Sequence, residues 1–295
     1  MNLLHNKNIV IGGSGFIGSE LCFFLNKKGE GVLNISKETN PNLKDIAQKR
    51  CDVDDTEKLR CLLKGGENIY ILIGQIYPGF DFKKEIKSIE NVLNCLDKKT
   101  VKKIFYFSSV LLYGEVKNSV DEKYSAKPID DYGKFKLECE KNILKRAEKD
   151  KFIAGILRLS NVYGKRGNRG FVGLLMENLF GGKNDKIIIN GDGKQLRDYI
   201  FIDDVIVATV NIKAKLIESD IINVATGESY SLIDIIKKIS NISEENIRYE
   251  IKNNEFFEIK NSLISNKKLI DKYKLFPKFN IEDGLKMTLE NYKKI

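Results

Sequence analysis

The sequence predicts an α/β chain: a doubly wound, mainly parallel sheet with a smaller mixed α/β part towards the C-terminus. Three observations predict it. Short β-rich runs alternate with helical patterns through the first half, which implies βαβ units and helices on both faces of a parallel sheet. A glycine cluster follows directly on the first of those strands and opens a helix. After Arg158 the texture changes, and Gly164, Gly167, Gly170, Gly181, Gly182, Gly191 and Gly193 punctuate a less regular stretch.

Taken in order, Ile9–Ile11 is an apolar strand and an amphipathic helix runs from about Phe16 to Lys28. A weak strand at Val32–Ile35, a helix around Thr56–Leu63 and a buried strand at Ile69–Ile73 follow. A helix around Lys83–Leu96 leads to the strongest strand, Lys103–Phe107. A helix from Tyr132 to Ala147 precedes a strand at Ile153–Leu157. Beyond these come a helix at Phe171–Phe180, a strand at Lys186–Ile189, an extended Asp198–Ile202 and a helix opened by Asp203-Asp204. The C-terminal part mixes helices (Ser231–Ser240, Ile281–Tyr292) with short strands near Arg248–Ile251, and Ser231 is placed to cap its helix. There is no internal repeat and no long linker. Residues 1–163 are expected to form a dinucleotide-binding domain with a returning segment near 199–225, and residues 164–295 mainly a substrate-binding one.

Composition narrows the chemistry. The chain has 295 residues, 42% hydrophobic and 31% charged, enough apolar material for a sizeable core. No run of about 18 apolar residues is present, so no membrane-spanning helix is expected. The first strand comes early with no charged-then-apolar leader, so no secretory signal is expected. Cys22, Cys51, Cys61, Cys95 and Cys139 are odd in number, far apart and without a CxxC pair. They read as reduced thiols of a cytoplasmic protein. His5 is the only histidine, which excludes His-dependent triads and multi-His metal sites, and no metal is expected. The net charge of +9 would suit a nucleic-acid surface, but the lysines are dispersed and no nucleic-acid motif accompanies them. Arginine is scarcer: of eight, Arg158, Arg166, Arg169 and Arg197 fall in one stretch, and Arg suits bidentate phosphate contacts.

The glycine cluster reads Gly12-Gly13-Ser14-Gly15-Phe16-Ile17-Gly18. Glycines there permit a tight turn, a close backbone approach to a pyrophosphate and close helix–strand packing, while the helix N-terminus offers N–H groups to phosphates. The strand-before, helix-after context is the one this mechanism demands, so a Rossmann-type dinucleotide site is expected. About twenty residues on, where an acid would bind the adenosine ribose diol, stand Ser36 and Lys37. A hydroxyl followed by a cation suits a 2′-phosphate, which favours NADP over NAD; a register shifted by two would instead let Glu38 supply the acid.

Tyr132 and Lys136 lie four apart, one turn on the same helix face. Tyrosine ionises near 10, too high for neutral-pH proton transfer. A cation one turn away, together with a positive nicotinamide ring, is expected to lower that value. Ser108 and Ser109 end the strongest strand, where ligand sites of parallel sheets lie. A serine there would hydrogen-bond a substrate hydroxyl or carbonyl beside the tyrosine.

On these residues the chain resembles the extended short-chain dehydrogenase/reductases, the NAD(P)-dependent nucleotide-sugar epimerase/dehydratase group. Gly12, Gly15 and Gly18 match its cofactor loop, and Asp52 in Cys51-Asp52-Val53 matches its acid near adenine. Ser108-Ser109-Val110-Leu111-Leu112-Tyr113-Gly114 resembles its Ser-Ser-x-x-x-Tyr-Gly signature, with Ser109 at the catalytic position. Tyr132 and Lys136 match its acid/base tyrosine and the lysine that also holds the nicotinamide ribose. Arg158-Leu-Ser-Asn161-Val-Tyr-Gly164 resembles a segment whose Asn faces the substrate. Gly191-Asp-Gly-Lys-Gln-Leu-Arg197-Asp198-Tyr199 resembles one whose Arg binds the substrate diphosphate, and Asn223-Val-Ala-Thr-Gly227 resembles the turn that follows. The resemblance implies a nucleotide sugar bridging the two domains, with Ser14, Phe16, Ile17, Val53, Leu72, Ile73 and Gly74 lining the cofactor. Tyr132 would move a proton at the carbon, usually C4, where the nicotinamide moves hydride. Arg197 and Arg169 would pair with the diphosphate. A homodimer is implied by the family's helix pairing.

Departures from the family narrow the reaction. The 4,6-dehydratases carry an Asp-Glu pair after the catalytic residue; here Val110 and Leu111 stand there. The epimerase-reductases of the GDP-fucose type use a Cys and a His, which His5 does not provide. The later RxGD arginine has no match in residues 252–261, and Ile71-Leu72-Ile73-Gly74 replaces the usual HxAA form. The leading expectation is an NADP-dependent 4-keto-sugar reductase of carbohydrate biosynthesis. A nucleotide-sugar 4-epimerase is the alternative, and a catalytically idle NADP-binding regulator a further one.

Overall fold

The computed structural model describes residues 7–74, 81–165, 170–181, 186–252 and 259–293. In chain order its elements are β1 (Asn8–Ile11), α1 (Phe16–Lys27), β2 (Val32–Ser36), β3 (Ala47–Arg50), α2 (Thr56–Leu62), β4 (Asn68–Ile71), α3 (Phe82–Cys95) and β5 (Lys103–Ser109). There follow a 3₁₀ turn (Val110–Tyr113), α4 (Asp131–Asp150), β6 (Ile153–Leu159), β7 (Asn161–Tyr163), α5 (Phe171–Phe180), β8 (Ile187–Asn190) and β9 (Leu196–Phe201). The chain continues through α6 (Ile202–Lys215), β10 (Asp220–Val224), β11 (Ser229–Ser231), α7 (Leu232–Ser243), β12 (Tyr249–Lys252), α8 (Lys267–Asp271) and α9 (Ile281–Lys293).

These elements form two compact units. The first comprises Met1–Ser109, Asp130–Arg158 and Thr209–Ile222. Its seven-stranded sheet has the order β10-β6-β5-β4-β1-β2-β3, with β1 parallel to β2 and β4, β2 to β3, and β4 to β5. The strand order reverses between β1 and β4, so the crevice that such sheets use for ligands opens beyond Ile11 and Ile71. The central strands are apolar on both faces, as strands covered on both sides must be. Ile9, Ile11, Ile69, Ile71, Ile104 and Tyr106 share one buried cluster with Leu59 of α2, Ile89 and Val92 of α3, and Phe135, Cys139 and Ile143 of α4. On the opposite face Tyr70 stacks on Phe105 at 5.2 Å between ring centroids. Three helices of this layer begin at aspartate caps: Asp55, Asp81 and Asp130 accept from backbone N–H groups of their first turns.

The second unit comprises Val110–Ile129, Leu159–Ala208 and Asn223–Ile295. A three-stranded sheet places β9 between antiparallel β11 and parallel β7, and β8 pairs in parallel with β12. Asp198 on β9 is fully buried and accepts from Thr226 N at 3.1 Å, Thr226 Oγ1 at 2.9 Å and Gly227 N at 2.7 Å. Burial pushes its carboxyl up, and these donors oppose the shift. The Tyr113 hydroxyl donates to Asn223 Oδ1 at 2.7 Å, which ties the turn after β5 to the end of β10.

The parallel doubly wound sheet and the mixed second unit agree with the expected fold class. Four strands have no counterpart among those expected from the sequence: β3, β7, β10 and β11. The expected Asp198–Ile202 strand begins earlier, at Leu196, and its helix opens at Ile202.

Candidate active site

The glycine loop lies at the C-terminal end of β1. Gly12 adopts φ +85°, a left-handed conformation, and donates its N–H to Ile35 O at 2.8 Å; Gly15 N donates to Gly12 O at 3.1 Å. A Cβ on Gly18 would stand 2.4 Å from Gly12 O and 2.7 Å from Gly13 Cα, so α1 is seated directly on the loop. Gly15 caps α1, where no side chain occupies the cap. Phe16, Ile17 and Gly18 form the helix's first turn. A tight turn feeding a helix start free of side-chain caps fits a pyrophosphate, and these residues fit a dinucleotide.

A polar network supports the loop from below. Asn34, buried on β2, donates from Nδ2 to Ser14 Oγ at 2.9 Å and to Gln48 Oε1 at 3.2 Å. The Ser36 hydroxyl accepts from Ser14 N at 3.1 Å and donates to Asn34 Oδ1 at 2.8 Å. Asn34 was not singled out from the sequence; its signal was a polar residue in an otherwise apolar strand. Beyond β2, Lys37 Nζ lies 3.2 Å from Asp52 Oδ2, and Arg50 Nη2 lies 3.1 Å from Glu38 Oε1. Burial raises the Asp52 carboxyl, but the Asp54 N–H and Lys37 outweigh it and hold it below the usual range. Val53 is buried in the core. Across the switch point, Leu72 N donates to Ile11 O at 2.9 Å, so Leu72 and Ile73 run beside the glycine loop. Gly74 rests against the Phe135 ring, where a Cβ would meet it at 2.4 Å.

Ser109, Tyr132 and Lys136 come together at the end of β5. Asp130 accepts from Gly133 N at 2.6 Å and so starts α4 where Tyr132 falls in its first turn. The Ser109 side chain hydrogen-bonds Tyr132. Lys136 is buried, donates to Phe107 O at 2.9 Å and lies 5.5 Å from the Tyr132 ring centroid. Burial lowers Lys136 to about 8, opposed by Cys139, Glu140 and Glu85. The tyrosine departs from expectation. Burial pushes Tyr132 above its ordinary value and Asp130 adds to the rise, while only the Ser109 hydrogen bond opposes it. Burial and Asp130 outweigh the Ser109 bond, so the protein alone does not depress the phenol.

In the second unit, Asn161 opens β7 and donates from Nδ2 to Asp198 O at 3.0 Å on β9. Arg197, on β9, is buried and donates from Nη1 to Leu196 O at 2.9 Å. These two expected substrate residues therefore stand on adjoining strands. Arg169 lies outside the described residues. Among the described residues no cluster of His, Cys, Asp and Glu is arranged to hold a metal ion, and no helix is long and apolar enough to cross a membrane.

Comparison with known proteins gives this geometry a family. The chain is 30% identical over 250 residues to a putative UDP-glucose 4-epimerase of Methanocaldococcus jannaschii, covering 78% of this chain and 81% of that one. Its fold superposes on the UDP-glucose 4-epimerase of Thermotoga maritima with UDP-glucose at a TM-score of 0.89, 26% identical over 97% of this chain and 98% of the other. The UDP-glucuronic acid 4-epimerase of Bacillus cereus, solved with UDP-glucuronic acid and NAD, gives 0.88 and 26% over 98% and 99%. NAD is thus the dinucleotide held by that structural relative. The profile described as the NAD dependent epimerase/dehydratase family matches residues 8–225. With its glycine loop at the switch point and Ser109, Tyr132 and Lys136 gathered at the end of β5, the chain belongs to this family of nucleotide-sugar enzymes.

Proposed function

We propose that the protein is a nucleotide-sugar 4-epimerase, with a UDP-hexose as the first substrate to test. The observation that carries this is the contact set of Ser109, Tyr132 and Lys136 on one unit with the glycine loop. The bound dinucleotide would supply hydride transfer at C4. Ser109 would orient the C4 oxygen and Tyr132 would take and return its proton, while Lys136 would hold the nicotinamide ribose. Val110 and Leu111 occupy the positions where the dehydratases carry acids, which speaks against water loss at C5–C6. The named activities of the relatives favour epimerisation over the 4-keto-sugar reduction expected from the cofactor end alone. Arg197, with Arg169, is assigned to the diphosphate and Asn161 to the sugar side.

The test incubates the protein with UDP-glucose, UDP-galactose and the corresponding uronic acids and N-acetylhexosamines, and follows both sugar isomers and dinucleotide. Isomer formation with no net dinucleotide consumption is expected. Stoichiometric NADPH consumption on 4-keto sugars, with no isomerisation, overturns the proposal in favour of the reductase. Tight dinucleotide binding with no turnover on any sugar favours the regulator.

The proposed cofactor is NADP, because the strand end carries Ser36 and Lys37 rather than a carboxylate. Glu38, the other candidate for a ribose acid, has its carboxylate on Arg50. Lys37→Glu is expected to weaken NADPH binding at least about ten-fold while weakening NADH binding less. Fluorescence titration of both reduced cofactors reads this out, and an unchanged NADPH-to-NADH ratio removes Lys37 from the 2′-phosphate. A cytoplasmic homodimer belongs to the same proposal, and its solution mass tests the oligomeric part.

A further inference from the structure

Three consecutive residues at the end of β5 each engage α4. Ser109 bonds Tyr132, the Phe107 carbonyl takes the Lys136 ammonium, and the Ser108 hydroxyl donates to Glu140 Oε1 at 2.5 Å. Tyr132, Lys136 and Glu140 are spaced four apart and therefore share one helix face. Glu140 is in turn held by Arg158 on β6: Nε donates to Oε1 at 3.0 Å and Nη2 to Oε2 at 2.6 Å. Ser108, Ser109, Lys136, Glu140 and Arg158 are buried, with Glu140 at 2% exposure. A buried ion pair is weak evidence for stability, since desolvation of both charges opposes their attraction. What its geometry does supply is orientation, with bidentate bonds from one strand fixing a helix residue that fixes the next strand.

We infer that Glu140 is a positioning residue for the reaction: anchored by Arg158, it fixes Ser108 and so the backbone from which the Lys136 ammonium and the Ser109 hydroxyl are set. This inference rests on the 4-epimerase reading for its turnover readout but not for its geometry. It also has an electrostatic consequence. The groups facing Lys136 are Tyr132, Cys139 and Glu140 on α4, Tyr106 on β5 and Glu85 on α3, with Arg158 on β6 behind Glu140. Burial already lowers Lys136 to about 8, and Glu140 works against that. Neutralising Glu140 removes an attraction and unmasks Arg158, and both effects lower Lys136 further. Processes that need the ammonium are lost as pH rises through its pKa, so their alkaline limb moves to lower pH.

The experiment compares the dinucleotide-loaded wild type with Ser108→Ala and Glu140→Gln, each first shown folded by circular dichroism and melting. Ser108→Ala leaves the ion pair intact and is the milder variant. It is expected to lower kcat on the order of ten-fold with KM within about two-fold, leaving the alkaline limb in place. Glu140→Gln is expected to lower kcat further and to shift the limb down by about half a pH unit or more. Should Glu140→Gln not fold, Ser108→Ala decides: a folded variant with unchanged kcat overturns the inference. A folded Glu140→Gln with unchanged kcat and unchanged limb overturns it as well. If the wild type turns over no sugar, the functional reading fails separately. The strut is then judged on the pH dependence of NADH and NADPH affinity, where an alkaline limb unmoved in Glu140→Gln overturns it.

Discussion

Replacing Tyr132 by Phe is expected to lower turnover by about three orders of magnitude while leaving dinucleotide affinity within about two-fold. The substitution removes one oxygen and keeps the ring. Tyr132 packs at 6.4 Å from the Phe135 ring and lies under the Lys136 ammonium, and both contacts survive in phenylalanine. Lys136 keeps its bond to Phe107 O, so the residue assigned to the nicotinamide ribose stays in place. The substitution removes the hydrogen bond to Ser109, a cost of about 1 kcal/mol in stability. Activity should therefore collapse without unfolding and without cofactor loss. Steady-state rates, a cofactor titration and a melting curve together read this out, and a Phe variant retaining a tenth of wild-type turnover would falsify the proton-transfer role.

The second large effect is expected at Gly18. An alanine Cβ would meet Gly12 O at 2.4 Å and Gly13 Cα at 2.7 Å, and both obstacles are backbone. No rotamer change relieves such a contact, so α1 must lift or the loop must open. Overpacking of this kind costs about 1–3 kcal/mol in stability. The cost to binding is larger, because the helix start and the turn are together the phosphate site. A loss of dinucleotide affinity of at least about 100-fold is expected, equivalent to about 2.7 kcal/mol. Gly15→Ala serves as the control for stability, since its Cβ meets only Gly12 O, at 3.3 Å. Gly15→Ala should melt near the wild type and Gly18→Ala several degrees below it. Equal melting temperatures for the two, with Gly18→Ala keeping wild-type cofactor affinity, would show that the close approach at Gly18 is not what shapes the site.

The sheet was legible because its central strands are apolar on both faces, as strands covered by helices on both sides are. β3 was not, because Ala-Gln-Lys-Arg is an edge strand with three of its four residues exposed. Nothing in its hydrophobicity separates it from a loop; only pairing with β2 makes it a strand. β7 and β11 are three residues each, too short for a period to show. The Tyr132–Lys136 spacing and the strand-end serine were legible because a helix turn and a strand end are local features. The tyrosine's upward pKa shift was not, because it arises from burial by distant parts of the chain. Glu140 lay one further turn along the same face. Its partner Arg158 was read as part of a phosphate-seeking cluster, yet the fold turns that guanidinium inward onto a carboxylate.

The threading of the chain through its two units has a consequence in time. β6 ends at Leu159, but its outer neighbour β10 begins only at Asp220, 61 residues later. At a synthesis rate of about 5–20 residues per second, β6 waits roughly 3–12 s on the ribosome with one edge unpaired. An apolar edge left open that long is a template for pairing with another nascent chain. Yield of native protein should therefore depend on how fast residues 160–220 are translated, and slow codons confined to that interval should favour aggregates without altering a single residue of the product.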